Sequence, residues 1–272
     1  MDYNNLPKLP KREENSNKGT FGKILNVSGS EYMTGAAYLS SISALKIGAG
    51  YVELASHKNA LKAAAALSPE IVLAPVEKIS DIIKTSTVLL IGCGLSTTEE
   101  AEKIFKDSMS LVNNIPVVID ADGLNILAKK NIKLPEKVIL TPHPKEASRL
   151  LACSLDEVLN DMEAAAKAIT QKYNCVTVLK SHRTIVTDGV NIFHNDTGNS
   201  ALAKAGSGDV LAGMIAGLLA QEMNIYDASV LGVYLHGLAG DLAKNDLTAY
   251  GVLASDTIRY ISNAIKIYLS KS

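Results

Sequence analysis

The sequence predicts an α/β fold, an open and mostly parallel sheet with helices crossing between its strands. Three observations carry that expectation. Short apolar runs of strand length alternate with longer helical patterns along most of the 272 residues. Glycine, serine, histidine or acidic clusters recur where the apolar runs end, the edge at which open α/β sheets bind ligands. One turn, Asp188-Gly189, carries a type I′ hairpin signal, so antiparallel pairing is expected at one end of the sheet.

The first stretch, MDYNNLPKLPKREENSNKGT, is polar and has no apolar signal region. It reads as a flexible or surface-draped arm over residues 1–18, not a secretory leader, ahead of a single domain over residues 19–272. Lys23 to Val27 has strand character and ends in the turn Ser28-Gly29-Ser30. Gly35 to Ile47 is periodic as a helix, Gly48 and Gly50 close it, and Tyr51 to Ala55 starts a second strand. Neither a GxGxxG fingerprint nor a Gly-Lys-Ser/Thr phosphate loop follows the first strand. Lys58 to Leu67 is an alanine-rich helix, and Ile71 to Ala74 a short strand.

Thr87 to Ile91 is a buried strand running into Gly92-Cys93-Gly94, and Thr97 to Met109 is helical. Pro116 to Ile119 is a strand ending in Asp120-Ala121-Asp122, with Asn125 close behind. Two carboxylates and an amide at a strand end suit a magnesium-phosphate site, because magnesium takes hard oxygen ligands and keeps several waters. Capping of the next helix by Asp122 is the plainer alternative. Lys137 to Leu140 is a further strand, after which prolines fix the turn Thr141-Pro-His-Pro144 and start a helix. That holds His143 at the same edge, with Glu146 one helical turn on. Leu155 to Lys172 reads as one amphipathic helix, Cys175 to Leu179 as a strand reaching Lys180. The hairpin follows, Thr184 to Thr187 with Asn191 to His194. Asp227 to Lys244 and Gly251 to Leu269 are helices, with His236 expected as a packing residue.

Bulk properties exclude several classes. A formal net charge of -1 gives no electrostatic case for nucleic acid or an anionic membrane surface. The apolar run from Val210 to Ala220 is too short to span a bilayer. Cys93, Cys153 and Cys175 are odd in number and lack CxxC spacing, which argues for a reducing compartment, the cytoplasm, and against a zinc site or disulfide framework.

The stretch Asn199-Ser-Ala-Leu-Ala-Lys-Ala-Gly206-Ser207-Gly208-Asp209, followed by the apolar run, carries the chemistry. Glycines ahead of a helix let an anion approach its unpaired N–H groups. A carboxylate at that place repels phosphate unless it has other work, such as taking a proton from an attacking hydroxyl; as a bare tetrapeptide it is equally a helix cap. Every suspect cluster lies after a strand or at a helix start, and in a parallel sheet those positions share one edge. The chemistry implied is phosphoryl transfer, with a carboxylate base and metal-binding acids nearby.

Six segments in order, NVSGS…YMTGAA, IGCGLS, VIDADGLN, ILTPHPKEASRL, TVLKSHRT and NSALAKAGSGDVLAG, resemble the ADP/ATP-dependent NAD(P)H-hydrate dehydratases. These are a branch of the ribokinase-like superfamily. The resemblance implies a three-layer α/β/α fold and a metabolite-repair lyase. Such an enzyme returns hydrated NADH or NADPH to the dinucleotide by phosphorylating the ring hydroxyl from ADP or ATP, with Mg2+, and eliminating phosphate. It implies Asp209 as the catalytic base and Gly206, Ser207 and Gly208 as the anion hole. Lys180, Ser181, His182, Arg183 and Thr184, with Gly208, would hold the nucleotide. Ala36, Gly94, His143 and Asp209 would line the hydrated-dinucleotide site. Asp120, Asp122, Asn125 and Asn199 would support it, and Glu146 would meet Mg2+ through water.

The family's Gly-Pro-Gly is Gly92-Cys93-Gly94 here, and its Lys-Gly is Lys180-Ser181, where a positive φ would strain serine. The resemblance further implies a homotetramer, preference for ADP, and an epimerase on a separate protein. Two rivals share the motifs in part: a small-molecule kinase of the hydroxymethylpyrimidine or hydroxyethylthiazole type, and a non-catalytic nucleotide-binding protein. TPHPKE together with DADGLN favours the dehydratase over the first. Asp209 with its glycines speaks against the second.

Overall fold

The computed structural model describes residues 6–130 and 132–271. Nine strands join in one sheet: β1 (Lys23–Val27), β2 (Tyr51–Ser56), β3 (Val72–Pro75), β4 (Val88–Ile91), β5 (Val117–Ile119), β6 (Val138–Leu140), β7 (Val176–Leu179), β8 (Ile185–Thr187) and β9 (Ile192–His194). Their spatial order is β3-β2-β1-β4-β5-β6-β7-β8-β9. Pairing is parallel from β3 through β7 and antiparallel for β7–β8 and β8–β9. The chain winds outward from β1 to β3 and then returns to lay β4 against β1. The topological switch point therefore falls between β1 and β4, where ligands of such sheets bind.

The helices are α1 (Thr34–Lys46), α2 (Lys58–Leu67), α3 (Ile79–Ile82), α4 (Glu99–Leu111), α5 (Asp122–Lys129), α6 (Pro144–Leu151), α7 (Leu155–Asn160), α8 (Met162–Tyr173), α9 (Ser207–Ala220), α10 (Ile225–Gly251) and α11 (Ala254–Leu269). They cover both faces of the sheet, because alternate strand residues point to opposite sides. Ile24, Val88 and Leu90 pack in one core with α1, α2, α9, α10 and α11. Leu25, Leu89 and Ile91 pack in a second with α3 to α8. The fold is the three-layer α/β/α arrangement expected.

Helix α9 is apolar almost all round because α1, α10 and the sheet enclose it. Its glycines set how closely α1 approaches: a Cβ on Gly213 would lie 2.1 Å from the Ser40 carbonyl oxygen. Where the chain begins, Leu6 is buried, the Tyr268 hydroxyl donates to the Pro7 carbonyl, and the Arg12 guanidinium stacks 3.5 Å over Phe21.

Three local expectations need correction. The helix expected over Leu155 to Lys172 is two, α7 and α8. Asp161 leaves helical geometry at φ -146°, ψ 84° and turns its side chain to cap α8 at Ala164. The hairpin is not a two-residue type I′ turn, since Gly189 alone of residues 188–191 has positive φ. Asp188 Oδ1 instead accepts from the Val190 and Asn191 N–H groups, an Asx-type closure of a four-residue loop. Helix α10 continues past Lys244 but is broken by a kink at Thr248, at φ 65° and ψ 161°, before Gly251.

Candidate active site

Strand ends build the site. Asp120 follows β5 and is 1% exposed. Lys180 follows β7, and its Nζ donates to Asp120 Oδ1 at 2.6 Å and lies 4.0 Å from Glu146 Oε2. The short strands put these charges together although 60 residues separate them in sequence. Glu146 is held by the start of α6. The His143 N–H donates to Glu146 Oε2 at 2.8 Å, while His143 Nδ1 accepts from the Lys145 and Glu146 N–H groups. An Nδ1 that accepts leaves the proton on Nε2, which sits 3.4 Å from Glu146 Oε1.

Helix α9 brings its first turn against this pair. Gly206 has φ 91°, and a Cβ there would lie 2.6 Å from Leu39 Cδ1. A Cβ on Gly208 would lie 3.3 Å from Lys180 Nζ, so the helix start sits almost on the ammonium. Asp209 is one residue further into that turn. Ligand atoms of Cys93, Asp120 and Asp209 all lie within 4.8 Å of one another. The Cys93 thiol donates to Asp120 Oδ2 at 3.9 Å and lies within 4.8 Å of the Asp209 carboxylate.

Burial and neighbouring charge set the protonation of this cluster. Burial, then the Asp120 carboxylate, pushes Asp209 up to about 6, against the opposing pull of Cys93 and Lys180. Burial pushes Glu146 up to about 7, with Lys180 pulling the other way. Burial works against the Lys180 charge, but Asp120 and Glu146 more than offset it and its pKa is raised. Burial and the Lys180 charge lower His143, which favours the neutral ring its hydrogen bonds require. Burial, Asp209 and Asp120 raise the Cys93 thiol well above its ordinary value, so it stays protonated. Behind α9, His236 is buried and held neutral, at about 4, by burial and by Lys180. Packing histidine was the expectation, and its Nε2 and the Ser207 Oγ are both buried without a hydrogen-bond partner.

The loop after β4 carries Gly94 at φ 60°, where a Cβ would lie 2.7 Å from the Ala36 Cβ at the start of α1. Gly92, at φ 116°, packs on the Asp120 carbonyl. Cys93 between them is fully buried, and its carbonyl accepts from Gly29 N–H at 2.7 Å. Packing from both sides thus fixes a turn that lacks the family's proline. Ser181 has no positive φ, so the expected strain does not arise. Its N–H donates to Thr184 Oγ1, whose hydroxyl donates back to the Ser181 carbonyl, and His182 and Arg183 are exposed at the tip. Ala121, which follows Asp120, is the strained residue, at φ 50° and ψ -116°.

One expected grouping does not form. Asp122 turns away from Asp120: its Oδ2 accepts from Ser96 N–H at 2.8 Å and its Oδ1 from Asn125. Asn125 in turn accepts from Arg149 at 2.7 Å. The reason is the sharp corner at Ala121, which sends the second carboxylate to the far side of the loop. Asn199 is a brace: its Nδ2 donates to Asp241 Oδ1 at 2.7 Å and its Oδ1 caps the turn at Ala201. Sequence reasoning missed Asp241, which also accepts from Gly198 N–H, and the closeness of Lys180 to Asp120. For Lys180 and Asp120 the position of each just after a strand was the hint; Asp241, inside α10, gave none.

The donor set does not form a protein cage for a metal ion. A protonated thiol is a poor ligand for a hard cation, and the Lys180 ammonium already holds one edge of Asp120. The remaining carboxylate edges of Asp120 and Glu146 fit an ion that keeps its waters and arrives with phosphate oxygens.

A family model described as NAD(P)H-hydrate dehydratase matches residues 24–263. The chain belongs to this family. An ADP-dependent (S)-NAD(P)H-hydrate dehydratase of Neisseria meningitidis is 38% identical over 93% of this chain and 89% of its own. A crystal structure of the ADP/ATP-dependent NAD(P)H-hydrate dehydratase from Bacillus subtilis, co-crystallized with ATP/Mg2+, matches at TM-score 0.87 and 30% identity, covering 96% of this chain and 94% of that one. A hydroxyethylthiazole kinase from Pyrococcus horikoshii, at TM-score 0.67, 14% identity and 92% coverage of both chains, shares the fold alone. Two bifunctional NAD(P)H-hydrate repair enzymes also match, and the chain spans 53% and 51% of their length. No helix among the described residues is long and apolar enough to cross a membrane.

Proposed function

We infer that this member of the NAD(P)H-hydrate dehydratase family returns hydrated NADH or NADPH to the reduced dinucleotide, with ADP or ATP as phosphoryl donor. The observation that carries this reading is Asp209, raised to about 6 in the first turn of α9, beside glycine amides and an ammonium. A base poised near the working pH takes a proton efficiently, and the amides face the charge that develops on transferring phosphate.

In this reading the ring hydroxyl of the hydrate lies against Asp209. Its oxygen bonds to the terminal phosphorus as the bond from that phosphorus to the nucleotide's bridging oxygen breaks, and Asp209 takes the hydroxyl proton. The ring carbon–oxygen bond then breaks and phosphate leaves, while loss of a neighbouring ring proton restores the double bond. Gly206, Ser207 and Gly208 present the anion hole. Lys180 to Thr184, with Gly208, hold the nucleotide on the β7 side. Ala36 and Gly94 face the hydrate from the β4 side, and His143 faces it from the turn after β6, beside Lys180. Asp120 and Glu146 would hold Mg2+ through water, and the ion would supply neutralisation of phosphate charge. The free thiols Cys93, Cys153 and Cys175 suit a reducing compartment, and we place the protein in the cytoplasm.

The test is to incubate purified protein and magnesium with hydrated NADH, adding ADP, ATP or neither, and to follow the return of NADH absorbance. Nucleotide-dependent recovery is expected, and it names the donor. Absence of recovery with either nucleotide from folded protein would overturn the reading.

A further inference from the structure

A cavity of about 550 Å3 lies across the ends of β1, β2 and β3, away from the Lys180 loop. It adjoins the loop after β4: Leu95 and Ser96 line it, and Gly94 packs on Met33, which lines it too. From β4, where Cys93 meets Asp209, to β3 is three strand intervals, roughly 14 Å at the usual spacing. An extended dinucleotide spans such a distance. With the phosphoryl donor on the β7 side, the non-reacting half of the hydrate has this direction open to it. Tyr32, 88% exposed, stands at the cavity with Met33, an aromatic face on which a purine can stack.

The charge of the lining is one-sided. Glu31, Glu77 and Glu100 line the cavity against a single ammonium, Lys58. None of these three carboxylates has an ion-pair partner among the described residues. His57 is engaged as the cap of α2, its Nδ1 accepting from the Asn59 N–H. No arginine lines the cavity, whereas a 2′-phosphate is usually met by arginine.

We propose that this cavity takes the adenosine half of the hydrate, and that Glu31, Glu77 and Glu100 select hydrated NADH over hydrated NADPH by repelling the 2′-phosphate. The proposal rests on the dehydratase reading above. The carboxylates are exposed, so each acts weakly and through solvent. Together they are expected to give about a tenfold preference in kcat/KM at low salt. The preference should shrink as salt rises, because exposed charges are screened within a Debye length of about 10 Å at 0.1 M.

The experiment compares kcat/KM for hydrated NADH and hydrated NADPH at low and high salt, in wild type and in Glu77→Gln/Glu100→Gln. A preference for hydrated NADH that falls with salt and narrows to below threefold in the variant, through a lower KM for hydrated NADPH, supports the proposal. Equal kcat/KM, a preference for hydrated NADPH, or a ratio untouched by salt and by the variant overturns it. Fluorescence titration of the wild type and the variant with NADH and NADPH runs in parallel. If neither hydrate is turned over, the dehydratase reading fails, and the titration still decides the charge argument. Tighter binding of NADH that narrows in the variant supports it, and indifference between the two dinucleotides overturns it.

Discussion

Replacing Asp209 with asparagine should remove activity and make the protein more stable, with the gain present at neutral pH and absent in acid. Asp209 and Asp120 present ligand atoms no more than 4.8 Å apart. At an effective dielectric constant of ~20, two like charges at that distance repel by about 3 kcal/mol. Lys180 and Cys93 recover part of this. The raised pKa gives a similar size: moving a carboxyl from 3.8 to about 6 corresponds to ~2–3 kcal/mol.

The sign follows from linkage. The folded protein holds the Asp209 proton more tightly than the unfolded chain does, so its contribution is full below pH 3.8 and is lost by about pH 6. Asparagine does not ionise and escapes that loss. Urea unfolding of both proteins should show near-equal stability at about pH 4 and a gain of ~2–3 kcal/mol for Asp209→Asn at about pH 8. Turnover should fall by roughly 100- to 10,000-fold, the range for loss of a general base. An Asp209→Asn protein that is less stable at pH 8, or whose gain is the same at both pH values, would refute the placement of this carboxylate in a buried, like-charged site.

The remaining predictions concern the frame around that carboxylate. Cys93→Ala removes a thiol that holds the Asp209 pKa down, so the acidic limb of the pH profile of kcat/KM should move to higher pH; a limb that stays put or moves down would show that the thiol does not act on Asp209. Gly94→Ala places a Cβ 2.7 Å from the Ala36 Cβ at φ 60°, so KM for the hydrate should rise more than kcat falls, which steady-state kinetics would separate. Ala121→Gly relieves a residue at φ 50°, ψ -116° and should stabilise the protein by up to about 1 kcal/mol in urea; a lower midpoint would show the corner to be unstrained.

What the sequence made legible was what local pattern encodes. The strands are buried β-branched and leucine runs bounded by glycine or proline, and they form where the pattern puts them. The turn from Gly206 to the start of α9 is legible because Gly206 takes φ 91° and a Cβ there would meet Leu39, and glycine is visible in a sequence. The break at Asp161 is not, since the apolar periodicity runs through it and only the backbone shows the side chain folding back to cap α8. The same holds for Asp188, whose carboxylate rather than a mirror-image turn closes the hairpin.

Asp120 and Asp122 show the harder limit. Two acids one residue apart after a strand look equivalent in sequence, yet Asp120 meets Lys180 while Asp122 ties down Ser96. The difference lies in the positive φ of Ala121 between them, which no property of alanine announces. That corner has a chemical consequence. With Asp122 turned out to Ser96, it adds less to Asp209 than Asp120 does: burial raises Asp209 most, Asp120 next, Cys93 and Lys180 pull the other way, and the result is a carboxyl at about 6. A carboxylate at an ordinary 3.8 would be ionised but a weak proton acceptor, and one far above 7 would be protonated and idle. Gly92 and Gly123 pack directly against the corner that Ala121 forms, so packing around that corner fixes which way each carboxylate points.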